Sequence, residues 1–277
     1  MKKILVPTDF TETSENAFVY AIEMAKFYRA ELVLLHTFEL PIVDSQIAPI
    51  NFTEIYEALE ITNTNQFKYE LEKMEGIAKQ HNAGNLIINH IMMDGELIKC
   101  IKEVIKQENI DFVVMGTKGA SGWFESFIGT TTCSVISDVS IPVLSVSHDT
   151  KFNKIETIGF TTRYRQDEIH SLNEVLVIAR KLGAQVKCLY VKTPEYEFIG
   201  KEIEYWESIF EDEKNLEFFI IPSDDVEQTI EDFMISQDVD LLAMVCHKKS
   251  FLTRLFTTST TQKMSQHSKT PILALHE

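Results

Sequence analysis

Residues 111–146, DFVVMGTKGASGWFESFIGTTTCSVISDVSIPVLSV, decide how this chain is read. Phe112-Val113-Val114-Met115 is a compact apolar run with the length and content of a buried strand. Gly116 and Gly119 follow at once, then a nine-residue excursion, then Gly129-Thr130 and a threonine-rich helix start. Ile141-Pro142-Val143-Leu144-Ser145-Val146 closes the stretch as a second strand, its proline near the beginning, where a missing donor is tolerated. Glycines just past a strand let the chain turn sharply and let a ligand lie against bare backbone. A Gly-Thr pair at a helix start offers N–H groups, hydroxyl donors and the positive end of the helix dipole, which together suit a phosphate. A lone G-x-x-G is an ordinary pair of turns; the full spacing G-x2-G-x9-G-T between two apolar strands is far more selective.

The same alternation extends upstream. Residues 2–8 predict a first strand, and 11–29 a helix whose Ala17, Ala21 and Ala25 recur at i+4 beside Phe18 and Ile22. A second strand is predicted over 31–38, a loop over 39–53, and a long helix from Thr53 to about His81. Leu86–Ile91 predicts strand three, and Gly95–Glu108 a helix with Leu97, Ile101, Val104 and Ile105 on one face. Short buried strands separated by helices imply an α/β fold with a mainly parallel sheet and helices on both faces.

After a polar connector at 148–153 the pattern restarts. Residues 155–160 replay strand one, 172–182 the first helix and 185–191 strand two, while 218–221, 240–245 and 271–275 replay strands three to five. The repeat offset falls from about 154 to 130, so the second copy has lost roughly 24 residues around its second helix. In this alignment Gly116 becomes Cys246, Gly119 becomes Lys249, Gly129 becomes Ser259, and Asp9 falls opposite Thr162 to within one position. The predicted domains are 1–148 and 154–277, and only the first keeps the bare backbone of the cradle. Thr257–Thr261, Lys248 and Lys249 leave weak anion binding in the second as a minor alternative.

Composition bounds the rest. The net charge of −16 is shared: residues 1–148 carry 11 Lys+Arg against 20 Asp+Glu, and 149–277 carry 15 against 22. Neither half has the basic surplus that a nucleic acid or an anionic membrane requires. No apolar run is long enough to predict a membrane span, and the N-terminus predicts a first strand rather than a secretory signal. The cysteines at 100, 133, 188 and 246 are widely separated, which predicts buried free thiols in a reducing cytoplasm. No histidine pair has metal-ligand spacing, and G-x-S-x-G and the common ATPase phosphate loop are both missing from the sequence.

Gly116, Gly119, Gly129 and Thr130 resemble the nucleotide-binding signature of the universal stress protein family, and Ile4–Thr11 and Ile141–Leu144 resemble its first and last strands. The resemblance implies two open, mainly parallel five-stranded sheets ordered 3-2-1-4-5, Rossmann-like and flanked by helices, in tandem. It also implies ATP, or a related adenine nucleotide, in the first half, with any Mg²⁺ arriving on the phosphates. Pro7, Thr8, Asp9 and Thr37 would line the nucleoside side; Met115, Gly116, Thr117, Gly119, Gly129, Thr130 and Thr131 would line the ribose and phosphate side. Asp9 also reads as a simple turn or cap carboxylate, and Lys118 as a solvated loop lysine. Trp123, Phe124, Phe127 and Ile128 suit loop packing better than a lid, since the second copy keeps apolar bulk there.

The expected output is regulatory, a cytoplasmic sensor whose halves pack as an intramolecular pseudo-dimer, with further self-association open. Two rivals stand beside it: a nucleotide-independent interaction scaffold, and a slow ATP hydrolase or phosphotransferase with Asp9 or Glu125 as its base.

Overall fold

The computed structural model describes residues 2–39, 52–117, 130–148, 150–194, 199–246 and 270–276, with only the backbone of 52–60 and 130. Residues 40–51 of the loop expected over 39–53, Lys118, Gly119, the aromatic excursion, Gly129, and the Lys248–Lys249 and Thr257–Thr261 segments lie outside the described residues.

The chain divides into two compact units, Met1–Met115 and Gly116–Glu277. The first contains β1 (Lys3–Pro7), α1 (Glu12–Tyr28), β2 (Glu31–Phe38), α2 (Phe52–Gln80), β3 (Ile88–Asp94) and α3 (Leu97–Glu108). It also contains most of β4 (Phe112–Thr117). Its strands are parallel and ordered β3-β2-β1-β4. Leu5, Val6, Val33, Leu35, Val113 and Val114 are fully buried, which follows from strands covered on both faces. The β1-to-β2 and β3-to-β4 crossovers step in opposite directions, so right-handed connections put α1 and α3 on opposite faces of the sheet. Ala17, Phe18, Ala21, Ile22 and Ala25 form the buried stripe of α1, as their spacing predicts.

The second unit holds α4 (Thr130–Asp138), β5 (Val143–Ser147), β6 (Thr157–Thr161), α5 (Glu168–Leu182), β7 (Gln185–Lys192) and α6 (Gly200–Ile209). β8 (Leu216–Pro222), α7 (Val226–Ser236), β9 (Leu241–Val245) and β10 (Ile272–Leu275) complete it. Its sheet runs β5-β10-β9-β6-β7-β8. Five of these strands, β8-β7-β6-β9-β10, reproduce the expected 3-2-1-4-5 order in parallel. The sixth, β5, comes from the first repeat and pairs antiparallel with β10, Leu144 opposite Leu273. This pairing was not foreseen, because the sequence pattern fixes which strands exist but not which edge strand finds another.

The registers correct the repeat alignment. Ile4 pairs with Phe112 in the first copy and Ile158 with Leu241 in the second. The offset is therefore 158 − 4 = 154 at strand one and 241 − 112 = 129 at strand four. At 129 rather than 130, Val245 stands opposite Gly116 and Cys246 opposite Thr117. The matching aspartates agree: Asp111 accepts from the Lys3 amide, and Asp240 from the Glu156 and Thr157 amides.

One corresponding pair exposes a local cost. α1 ends on Arg29 in the left-handed region (φ 52°), whereas α5 ends at the equivalent position on Gly183 (φ 70°). Both caps return an N–H one turn back, to Ala25 and Ala179 respectively. A Cβ in this conformation costs about 1–2 kcal/mol. Arg29→Gly, which installs the second copy's residue, is expected to raise the urea midpoint by an amount equivalent to about 1 kcal/mol.

Candidate functional site

The sheet order of the first unit reverses between β1 and β4, and open α/β sheets place ligands beyond the strand carboxyl ends at such a point. β1 ends there in a tightly bonded turn. The Thr8 amide makes a last ladder bond to the Leu35 carbonyl (2.8 Å), after which the chain leaves the sheet. The Thr8 hydroxyl accepts from the Phe10 amide (3.0 Å) and donates to Ser14 Oγ (3.1 Å), which in turn donates to the Thr11 carbonyl (3.0 Å). Thr8 is buried and its hydroxyl is committed to this relay.

Asp9 is exposed, and its Oδ1 accepts from both the amide (3.1 Å) and the hydroxyl (2.6 Å) of Thr11. Two donors on one oxygen orient the carboxylate. The turn reading and the ligand reading of Asp9 are thus compatible: the turn holds the group that a ligand would meet. Phe10 adopts φ 58°, a left-handed conformation uncommon for an aromatic residue. Its ring lies 4.9 Å from His36 and 5.9 Å from Phe67, and His36 stacks on Phe67. His36 Nδ1 lies 2.9 Å from the Thr8 carbonyl oxygen. Sequence reasoning missed this histidine; its place two residues before the end of a largely apolar strand was the available signal.

Among the other expected residues, Pro7 is buried in β1, and continuing the β1–β4 register brings Met115, also buried, level with it. Thr37 is half-buried in β2 opposite Met93 of β3. Gly116 and Thr117 end β4, and the Thr117 carbonyl accepts from the His148 amide at 3.2 Å. Thr130 and Thr131 open α4; Thr131 is exposed, while Thr132 behind it is buried.

The second copy rebuilds the first turn with different chemistry. The Thr162 amide bonds to Leu189, the Thr162 hydroxyl accepts from the Tyr164 amide, and Tyr164 takes φ 57°. The offset of 154 thereby matches Thr8 with Thr162 and Asp9 with Arg163, so an arginine stands where the first copy has its carboxylate. Ser14 is matched by Glu168, which is 2% exposed. Its Oε2 accepts from the Thr162 hydroxyl (2.7 Å) and from the Arg163 (2.8 Å) and Arg165 (3.3 Å) amides. The second copy supplies its own anion to the turn. Tyr164 lies among Tyr190, Trp206 and Phe218, and burial pushes its hydroxyl far above the usual tyrosine range.

The thiols take no part in this chemistry. All four cysteines are free and buried; burial pushes Cys246 up to about 12 and Cys188 well above its ordinary value. Thiols this hard to ionise are poor nucleophiles. No group of three His, Cys, Asp or Glu suited to a metal ion occurs among the described residues. None of the described helices is long and apolar enough to cross a membrane.

Removing the Glu168 carboxylate strands one buried hydroxyl and two part-buried amides, and an unmade buried bond costs about 1–3 kcal/mol. Glu168→Ala is expected to lower unfolding free energy by about 3 kcal/mol or more in urea titrations. Glu168→Ser, the first copy's residue, is expected to recover part of that loss by re-partnering the Thr162 hydroxyl.

Comparison with known proteins agrees with this architecture. The family model described as the universal stress protein family matches residues 1–147 and 211–276. A curated universal stress protein of Methanocaldococcus jannaschii is 28% identical over 152 residues, covering 52% of this chain and 94% of that protein. One from Bacillus subtilis is 28% identical over 145 residues, covering 52% of this chain and 97% of that protein. A solved universal stress protein from Archaeoglobus fulgidus aligns over 99% of this chain and 96% of its own, at 17% identity and a TM-score of 0.73, a likeness of fold. The unmatched residues between the two family segments fall where the second copy is shortened and its turn rebuilt around Glu168. The chain belongs to the universal stress protein family and carries that family's domain twice.

Proposed function

We propose that the chain is a cytoplasmic stress-response protein that binds ATP, or a related adenine nucleotide, through residues 1–148, with a regulatory rather than metabolic output. The observation carrying this reading is the contrast between equivalent strand ends. The first copy presents an oriented, exposed Asp9 carboxylate and a β4 end at Gly116, without a Cβ. The second has Arg163 and Val245 at those positions and satisfies its turn with Glu168. In a crevice at the switch point, Asp9 and backbone near Pro7, Thr8 and Thr37 would meet the nucleoside. Met115, Gly116, Thr117, Gly119, Gly129 and the α4 start at Thr130 and Thr131 would meet ribose and phosphates. Mg²⁺, in this reading, is held mainly by the phosphates. In this reading residues 154–277 are structural, and the two halves form an intramolecular pseudo-dimer.

Calorimetry with Mg-ATP tests the reading. Wild type is expected to bind, Gly119→Val to lose binding with an unchanged urea midpoint, and Asp9→Ala to weaken it about tenfold, roughly 1.4 kcal/mol. Absence of heat at near-millimolar wild-type protein would refute nucleotide binding.

A further inference from the structure

The turn carrying Asp9 is gripped from the sheet side by one residue. A carbonyl oxygen only accepts hydrogen bonds, so the 2.9 Å contact between Thr8 O and His36 Nδ1 requires the proton on Nδ1. The Thr8 carbonyl and the Asp9 amide share one planar peptide unit. Fixing the carbonyl therefore fixes the direction in which the chain enters Asp9. On the other side of Asp9, the Phe10 ring packs at 4.9 Å against the same imidazole, which is itself stacked at 5.8 Å on Phe67. The left-handed conformation of Phe10, φ 58°, is of the kind that persists only where its surroundings over-determine it. His36 thus holds the residue before Asp9 by a hydrogen bond and the residue after it by ring contact.

The second copy separates these two roles. Tyr190 stands where the first copy has His36, and it keeps the aromatic contact, with Tyr164 at 5.4 Å edge-on. The turn amides there are held instead by the Glu168 carboxylate, from the helix side. The imidazole hydrogen bond occurs in the copy that carries Asp9.

We propose that His36 is a positioning residue of the nucleotide site: it donates from Nδ1 to the Thr8 carbonyl and braces Phe10, and so aims Asp9 at the nucleoside. This rests on the nucleotide-binding reading above.

The test uses the full chain with His36→Phe, which keeps the ring and removes the donor, and His36→Asn, which restores a donor at the Nδ1 position. Two quantities are read on each: the Mg-ATP dissociation constant by calorimetry, and hydrogen exchange of the Phe10 and Thr11 amides in the nucleotide-free protein. His36→Phe is expected to weaken Mg-ATP about tenfold and to speed exchange at both amides, and His36→Asn to recover most of both. Unchanged exchange in His36→Phe, or His36→Asn no better than His36→Phe, would overturn the proposal. If wild type binds no Mg-ATP the nucleotide reading fails on its own, and the exchange comparison still decides whether His36 positions the turn.

Discussion

A parallel strand buried on both faces has to end somewhere, and at its carboxyl end its polar groups lose their ladder partners while still close to the core. β1 meets this constraint at Thr8. One amide still reaches Leu35, the carbonyl is taken by an imidazole, and a hydroxyl relay through Ser14 closes the next turn. Buried backbone groups left unmade would each cost about 1–3 kcal/mol, so the turn is as much a requirement of folding as of any ligand. Asp9 projects from it because the residues on either side are fixed.

The duplicated copy shows which parts of this solution are obligatory. The threonine that bonds two residues ahead and the left-handed aromatic recur, as Thr8 with Phe10 and Thr162 with Tyr164. The charged residue between them changes sign, from Asp9 to Arg163, and the helix-side partner grows from Ser14 to Glu168. A turn that borrows a buried carboxylate from its own helix is internally complete. The first turn keeps its acceptor on Asp9 itself, at the surface. The two turns thus share a backbone shape and diverge in charge.

Much of this was readable in advance. Periodicity located α1 within a residue at either end and β2 at its full extent, since a compact apolar run such as Leu32–Leu35 between a helix terminus and a loop leaves few alternatives. The second copy was harder. Its α5 begins at Glu168, four residues before the apolar stripe that announces it, so the residue that fills the turn lay outside the segment the pattern marked. His36 reads as one of the polar residues flanking the apolar run of β2, and only the fold brings it against a carbonyl 28 residues away. The one-residue error in aligning β9 had a related origin: apolar runs slide against each other without penalty in sequence, whereas ladder bonds and the aspartates at 111 and 240 fix the step.

Divergence at the strand ends of one copy need not weaken it. The positions that differ, 9 against 163 and 116 against 245, sit at strand ends, while the second copy's core residues Ile158, Phe160, Val186 and Cys188 remain fully buried. Hydrophobic burial at about 25 cal/mol per Å² is set by those strand interiors and is indifferent to what the carboxyl ends bind. The constraint that remains at the strand end is polar satisfaction, and a carboxylate supplied by the chain meets it as well as any arrangement that leaves room for a ligand. Once Glu168 occupied the turn, selection for stability alone would hold it there, because its removal strands the Thr162 hydroxyl and two amides together. The turn of the second copy is thereby shaped by the same requirement that shapes the turn around Asp9.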